Sequence, residues 1–497
     1  MNTVADSVTA GPLRTTTLER LRSGLVEPLV VPDALHRIRE ANAAAGTHVV
    51  VLDDDPTGSQ VVHDVPVLIT WEDDDLRWAF AHPARAFFIL TNTRSLDQRA
   101  ARELLVDLDR RINRLAAEVG TNVVLLSRSD STLRGHFPLE TDVLADATAR
   151  RGRPYDAVVL APAYLDAGRV TVDDMHYARI GPDYVPVGET DYATDPAFGY
   201  RSSSLPLWVG EKAGNAVEVL SLSLDDIRVG GVRRVVELLL SARRGAVVVV
   251  NALDEADLEV VALALGEAEA TGWRALCRVG PSFVPIRAGI DRRAPLQAVE
   301  IAAAGSRPGC GLVVVGSHVE LSSRQLESLL ELPGIVPVEL DVVALLEPAG
   351  AAVELDRCAA ALEAAASTAD VVLVTSRRRV VAAGESSLEL SRLVSAALVQ
   401  LTRRLTGVVE LGWVVAKGGI TSHDIAAHGL DIHRATVLGQ LFAGIVSVWR
   451  AEPGGSTEGG ATDTAPAGLP YVVFAGNVGD ESSLRDAVVI LRQAHRA

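Results

Sequence analysis

The chain has 497 residues, which at about 150 residues per domain predicts roughly two to four domains. Hydrophobic residues make up 48% and charged residues 22%, a globular composition that excludes wholesale disorder. With 64 acidic and 47 basic side chains the net charge is −17, which argues against nucleic acid and anionic membrane surfaces as partners.

The predicted elements alternate between short apolar strands and longer amphipathic helices. Residues 1–44 have helical spacing and predict an N-terminal extension. From residue 45 onward, nearly continuous runs of Val, Leu and Ile predict parallel strands buried on both faces. These strands are predicted at 48–52, 65–70, 87–90, 123–127, 157–160, 217–220 and 247–250, with helices at 97–119 and 225–243. The first predicted domain, 45–300, is therefore an α/β domain.

A second α/β series follows a stretch without strand character at about 291–308. Its strands are predicted at 312–315, 336–340, 371–374, 413–416 and 472–474, and its helices near 322–332 and 386–405. The second domain is therefore predicted over 308–497. Together the two series predict two domains, each a largely parallel sheet flanked by helices, with the active site in the cleft between them.

Four further features complete the prediction. Residues 165–210 have no clear period, and we expect a long excursion near the first domain's site. Residues 452–468 predict a flexible surface loop. No apolar run approaches the ~20 residues that a membrane span needs, and no apolar signal core occurs near the start, so we expect a cytoplasmic protein. The three cysteines include no C-x-x-C pair, which favours neither a disulfide framework nor a cysteine zinc site.

Polar loops follow the predicted strands, and ligands bind beyond the carboxyl ends of strands in open parallel sheets. In the first half these loops carry carboxylates, hydroxyls and arginines. Such groups suit a polyhydroxylated anion, because Arg forks a carboxylate while Asp and Ser bind hydroxyls. In the second half the loops carry glycines, hydroxyls and Lys417, one of only two lysines in the chain. Backbone N–H groups at such helix starts suit phosphates.

A purely structural role stays open for each loop. Asp53–Asp55 could form a capping turn, although a cap needs one carboxylate and three adjacent ones repel each other without a cation or a donor-rich ligand. The loop at 128–135 could be a salt-bridged loop, and 417–422 could be a tight turn before a capped helix. The histidines between 423 and 433 recur every five residues, which does not place them on one helical face, so a metal cluster is disfavoured.

Known motifs leave one rival interpretation. No G-x-x-x-x-G-K-[ST] sequence occurs, which excludes a P-loop enzyme. The pattern Asp53-x-Asp55-x-Thr57, with Thr91-Asn92 after a later strand, fits the first two motifs of haloacid dehalogenase-type phosphatases. Asp53 would be the nucleophile and Asp55 the acid/base. This interpretation leaves the Asp-Ser-Thr-Leu-Arg-Gly and Lys-Gly-Gly-Ile-Thr-Ser loops unexplained.

Four ordered motifs, at 54–58, 130–135, 418–422 and 476–479, closely resemble those of the four-carbon acid sugar kinase family. The resemblance extends from about residue 47 to the C-terminus. It implies an N-terminal substrate domain, a C-terminal nucleotide domain and ATP-dependent phosphorylation of an erythronate-, threonate- or 3-oxo-tetronate-like acid. The chain departs from many members at Ser127–Ser129, where they have a lysine, and at Asp55-Pro56, where Asp-Phe is commoner. These departures leave the choice among the acids open.

The predicted mechanism is phosphoryl transfer from MgATP over the second domain to a sugar acid over the first. Asp130 is the predicted general base and Asp54 the alternative, and since either could hold Mg²⁺ instead, no metal ligand is assigned. The substrate carboxylate is assigned to Arg94 and Arg134. The substrate hydroxyls are assigned to Asp53, Asp54 and Ser131.

The nucleotide is assigned to the loops of the second half. The resemblance implies contacts at Ser317, Gly418, Gly419, Ile420, Thr421 and Gly476, and the phosphates are assigned to Lys417 and the glycine loops, which include Gly479. A non-catalytic sugar-acid-binding protein is the remaining alternative function. We also expect that the chain can form a homodimer.

Overall fold

The computed structural model describes residues 15–305, 307–316, 319–376, 385–454, 466–476 and 478–496. Eighteen strands lie within these residues. They are β1 (Thr47–Asp53), β2 (Val65–Leu68), β3 (Ala86–Leu90), β4 (Asn122–Arg128), β5 (Ala157–Ala161), β6 (Arg169–Val172), β7 (Met175–Ile180), β8 (Asp183–Pro186), β9 (Val219–Leu222), β10 (Ala246–Val250), β11 (Ala275–Val279), β12 (Cys310–Val315), β13 (Ile335–Leu340), β14 (Asp370–Thr375), β15 (Leu411–Lys417), β16 (Arg434–Phe442), β17 (Val446–Ala451) and β18 (Pro470–Phe474).

Sixteen α-helices connect these strands in the described part of the chain. They are α1 (Leu18–Arg22), α2 (Ala34–Ala44), α3 (Asp73–Ala81), α4 (Gln98–Val119), α5 (Leu139–Arg150), α6 (Leu205–Ala213), α7 (Leu224–Arg228), α8 (Gly231–Ser241), α9 (Glu255–Ala270), α10 (Phe283–Ala288), α11 (Ala298–Ala304), α12 (Glu320–Leu330), α13 (Pro348–Ala366), α14 (Glu385–Thr406), α15 (Gly419–Asp424) and α16 (Ser483–Arg496). Short 3₁₀ helices span Pro56–Val61, Thr93–Ser95, Val187–Glu189, Asp191–Thr194 and Ala344–Leu346, and a π-helix spans Ile425–Gly429.

Local sequence explains these elements. The Val-rich strand β10 is buried along its whole length, as its unbroken apolar run predicts. Helix α7 starts at a capping box, in which Ser223 Oγ accepts from the Asp226 amide at 3.1 Å and Asp226 accepts from the Ser223 amide at 3.2 Å. None of the described helices has the length and apolar character needed to cross a membrane.

The chain divides into two compact units that are discontinuous in sequence. Unit 1 comprises the described residues of 1–44 with 96–106 and 125–289, and unit 2 comprises 45–95, 107–124 and those of 290–497. The predicted N-terminal extension is packed into unit 1, because α2 lies on α9 and α10. Asn42 and Arg287 fix this contact through two hydrogen bonds of 3.0 and 2.8 Å.

Unit 1 contains a parallel sheet in the order β4-β11-β5-β10-β9. The predicted excursion at 165–210 contains a second, antiparallel sheet, β6-β7-β8, followed by two 3₁₀ helices. Phe137 stacks on Trp208 in the apolar cluster beneath the parallel sheet. The sequence interpretation missed β6, β7, β8 and β11.

Unit 2 contains a sheet in the order β13-β14-β12-β15-β18-β17-β16-β2-β3-β1. Neighbouring strands in this sheet are parallel with three exceptions: β17 is antiparallel to β18 and to β16, and β16 is antiparallel to β2. Three antiparallel steps separate β18 from β2, so β1 runs opposite to β15. The antiparallel strands β16 and β17 were missed by the sequence interpretation. Of the predicted loop at 452–468, residues 455–465 lie outside the described residues.

Candidate functional site

The first acidic loop follows β1 and belongs to unit 2. Asp53 is fully buried, and its backbone carbonyl accepts hydrogen bonds from Thr91 N and Thr91 Oγ1, each at 2.9 Å. Its carboxylate accepts from the Asp55 amide at 3.1 Å. These bonds shape the turn and set Asp54, also buried, and Asp55, partly exposed, beyond the strand end.

Arg94 supplies positive charge to this acidic loop. Its guanidinium forms a short ion pair with Asp55, and its Nη2 lies 3.7 Å from Asp54 Oδ1. Both ion pairs join residues about 40 positions apart, which local sequence patterns do not reveal. The predicted role of Arg94 at the substrate carboxylate stays a prediction. In the structure, its guanidinium forms ion pairs with the carboxylates of the loop itself.

The glycine loop after β15 lies beside the same acidic loop within unit 2. Gly418 has φ of +119°, which a side chain would strain. A Cβ built on Gly419 would lie 3.6 Å from both Asp55 carboxylate oxygens, so the backbone at the start of α15 faces that carboxylate. A Cβ on Gly316 would lie 2.2 Å from Thr421 Oγ1, which shows how closely the end of β12 packs on this turn. Two predicted contacts lie outside the described parts: Ser317, and the side chain of Ile420.

Lys417 is fully buried at the end of β15. Its Nζ donates to the Ala475 carbonyl at 3.0 Å and lies 4.0 Å from the centroid of the Phe474 ring. Burial lowers the pKa of Lys417 from 10.5 to about 7. Lys417 thus joins the end of β15 to the loop that leads to Gly476, a structural contact beside its predicted role at phosphate.

The terminal glycine loop is held from α12 and α16. Ser322 Oγ donates to the Gly476 carbonyl at 2.9 Å. Gly479 has φ of +81°, and a Cβ there would lie 2.5 Å from Ser483 Oγ, so this position requires glycine.

The second acidic loop follows β4 and belongs to unit 1. Asp130 accepts from the Thr132 amide at 3.2 Å, from the Thr132 hydroxyl and from Arg134 Nε at 2.6 Å. Leu133 has φ of +66°, and the turn brings Arg134 back onto Asp130. The loop is therefore a closed carboxylate–guanidinium unit with Ser131 buried inside it.

Two residues missed by the sequence interpretation support this loop. His176 Nε2 lies 2.7 Å from the Ser131 carbonyl, and its Nδ1 lies 2.9 Å from Thr171 Oγ1. Burial lowers the pKa of His176 to about 4, so the ring is neutral, with the proton on Nε2, which faces the carbonyl. Tyr200 donates its hydroxyl to the Thr132 carbonyl at 2.6 Å. Both residues come from the 165–210 excursion, which therefore packs against the loop at 130–135; its predicted position near the substrate site stays a prediction.

Arg134 also contacts the excursion. Its guanidinium carbon lies 5.3 Å from the centre of the Tyr192 ring, and Nη1 lies 3.6 Å from Asp195 Oδ2. About 29% of the side chain is exposed, so the guanidinium is accessible to a ligand.

The structure divides the predicted substrate residues between the units. Asp53, Asp54 and Arg94 share unit 2 with the glycine loops, whereas Asp130, Ser131 and Arg134 lie in unit 1. No group of three or more His, Cys, Asp or Glu side chains is placed to hold a metal ion in the described part of the chain.

Comparison with known proteins divides the chain along the sequence instead, and so groups Asp53, Asp54 and Arg94 with the loop at 130–135. A family model described as a sugar-binding N-terminal domain matches residues 49–286, and one described as a nucleotide-binding C-terminal domain matches 312–484. The chain belongs to the four-carbon acid sugar kinase family. The predicted resemblance is thereby confirmed.

Among the relatives in this family is a D-threonate kinase from Bordetella bronchiseptica. It is 28% identical over 375 residues, which cover 74% of this chain and 78% of that protein. A solved Haemophilus influenzae protein has a TM-score of 0.61 at 16% identity and covers 89% of this chain and 100% of its own. A solved Salmonella typhimurium protein has a TM-score of 0.64 at 18% identity and covers 89% and 98%. The two structures share the fold, and the predicted α/β class is confirmed.

Proposed function

We propose that the protein transfers a phosphoryl group from ATP to a hydroxyl of a four-carbon sugar acid of the erythronate, threonate or 3-oxo-tetronate type. Membership of the family supports a sugar-acid kinase. The similarity to a D-threonate kinase supports an acid of this size.

The observation that carries the proposal is the Asp130–Arg134 loop in the part of the chain that matches the sugar-binding model. It sets a carboxylate and an accessible guanidinium side by side, joined at 2.6 Å. A carboxylate accepts hydrogen bonds from hydroxyls and a guanidinium binds a carboxylate, so the pair matches a hydroxy acid.

Phosphoryl transfer needs positioning and charge neutralisation more than covalent chemistry. Asp130 is the proposed general base, which would accept the proton of the attacking hydroxyl. Asp54 is the alternative. Ser131 and Asp53 are proposed to bind the remaining hydroxyls.

The nucleotide phosphates are proposed to lie against the backbone of Gly418 and Gly419, where the absence of side chains permits close approach. Magnesium in kinases is held by one or two carboxylates together with phosphates, so the absence of a three-ligand cluster among the described residues is compatible with its use. Asp55 beside Gly419 would hold the ion, which would neutralise phosphate charge when bound.

A coupled ADP assay across D-threonate, D-erythronate, their enantiomers and 3-oxo-tetronates tests the proposal. We expect ADP release that depends on one acid, and one phosphate added to that acid by mass spectrometry. Binding of an acid without ADP release would instead identify a binding protein. Phosphate release without ATP, abolished in Asp53→Asn, would identify a phosphatase.

A further inference from the structure

Arg169 is a second guanidinium beside the Asp130–Arg134 loop. It begins β6, and its guanidinium carbon lies 5.8 Å from the centre of the same Tyr192 ring that Arg134 contacts. His176 hydrogen-bonds the Ser131 carbonyl. Its pKa is lowered mainly by burial, is lowered further by the charge of Arg169 and is raised by the charge of Asp130. The guanidinium carbons of Arg134 and Arg169 therefore both lie within 6 Å of the centre of the Tyr192 ring, in the same unit.

The partners of Arg169 differ from those of Arg134. Arg134 is compensated by Asp130 and Asp195, whereas the bonds of Arg169 go to neutral oxygens, the Ala167 carbonyl and the Tyr192 hydroxyl at 3.2 Å. Its Nε is buried without a hydrogen-bond acceptor among the residues that the structure describes. No carboxylate of the described chain lies within ion-pair distance of this guanidinium. A half-buried cation of this kind is stabilised when an anion binds.

Tyr192 connects the two arginines. Its hydroxyl oxygen accepts from Arg169, so the hydroxyl proton is available for a ligand oxygen. Its side chain is partly exposed, as are those of both arginines.

We propose that Arg169 and Tyr192, together with Arg134, form the subsite that binds the carboxylate of the sugar acid and so selects acids over neutral polyols. This inference rests on the proposed substrate class. It assigns Arg169 and Tyr192 to substrate binding and leaves the base and the nucleotide site unchanged.

The test is calorimetry in which three ligands are titrated separately: the acid, its neutral polyol, such as D-threonate and threitol, and ATP. In Arg169→Gln we expect acid affinity to fall about 10- to 150-fold, the range for a lost charge-assisted hydrogen bond, with threitol and ATP affinities unchanged. Tyr192→Phe removes one hydroxyl and should weaken acid binding several-fold. Arg179→Gln is the matched control, because Arg179 carries the same charge on the neighbouring strand β7 but is exposed.

Unchanged acid affinity in Arg169→Gln, or an equal loss for acid and polyol, would overturn the inference. So would a selective loss of ATP affinity, which would assign the arginine to phosphate. If Arg169→Gln does not fold, Tyr192→Phe decides by the ratio of acid to polyol affinity. A wild type that binds the acid without releasing ADP would refute the kinase activity while leaving this subsite standing.

Discussion

At the scale of single residues, Lys417 shows how burial changes the chemistry of a side chain. Its ammonium is enclosed between the Phe474 ring and the Ala475 carbonyl, and its pKa falls to about 7. A buried lysine at this position favours the neutral amine near neutral pH, because desolvation penalises its charged form.

Lys417→Met should therefore change the pH dependence of stability. Between pH 7 and 10.5 the unfolded chain binds a proton at Lys417 that the folded chain does not, so the wild type gains stability as pH rises. The penalty of the buried charge is fully present below pH 7. We expect the stability of Lys417→Met relative to wild type to fall by about 2–3 kcal/mol from pH 7 to pH 9, measured by urea unfolding.

Lys212→Met is the matched control for this experiment. Lys212 also donates to a backbone carbonyl, that of Gly199 at 2.6 Å, but it is only partly buried. A Lys417→Met difference that stays constant with pH, or that changes no more than the Lys212→Met difference does, would contradict the burial argument.

Arg134→Lys tests the geometry of the guanidinium rather than its charge. Lysine keeps the positive charge but cannot bond Asp130 and fork a carboxylate at the same time. We expect kcat/KM for the sugar acid to drop about 10- to 150-fold, the equivalent of roughly 1.5–3 kcal/mol, with ATP affinity unchanged. A lower melting temperature with normal kinetics would show that Arg134 acts only as a structural ion pair.

At the scale of elements, the turn between β15 and α15 leaves its backbone open to close approach by a ligand. Strand β15 is entirely buried, and the glycine pair Gly418-Gly419 follows it directly. Gly419 faces Asp55. Because Asp55 belongs to the loop after β1, a distant strand in the same sheet, a substitution at Gly419 affects two loops at once.

Gly419→Val and Gly419→Ala separate these effects. A Cβ at Gly419 meets Asp55 only at 3.6 Å, an ordinary contact, so alanine fits and should preserve the fold. The extra branches of valine should block the phosphate approach, and calorimetry should show ATP binding weakened at least 10-fold while sugar-acid binding is retained. Equal ATP affinity in both variants would place the nucleotide elsewhere.

At the scale of the whole molecule, the compact units do not follow the order of the chain. Unit 2 takes strands β1, β2 and β3 from the N-terminal third, and β2 pairs with β16 over four residues. Ser59, in the 3₁₀ helix before β2, contacts the next strand β17, because its Oγ accepts from Trp449 Nε1 at 2.9 Å and lies 3.2 Å from Ser447 Oγ. We therefore predict that the region 308–497 does not fold on its own.

A fragment of residues 308–497 tests this conclusion. It would expose the edge of β16 and the buried Trp449, and exposed edges promote aggregation. We expect the fragment to aggregate in size-exclusion chromatography or to melt without a cooperative transition, in contrast to the full chain. A monomeric fragment with a sharp transition would support an independent domain at 308–497.

The sequence by itself determined the class of the fold and the chemistry of the loops. Burial on both faces leaves a continuous apolar run, which identified β1, β10, β12 and β14 from their own residues. The antiparallel strands β16 and β17 follow each other directly in the chain but were missed, because polar residues and Gly439 interrupt their apolar runs. The four motifs were recognisable because each is contiguous.

Only the tertiary structure decided which of these groups meet. The approach of Asp55 to Gly419, the pairing of Arg94 with Asp54, and the support of the Ser131 carbonyl by His176 join residues far apart in the chain. Such contacts depend on the order of strands in a sheet and on the path of an irregular excursion. The hydrophobic periodicity of a segment indicates which of its side chains are buried, but it does not identify the residues that pack against them.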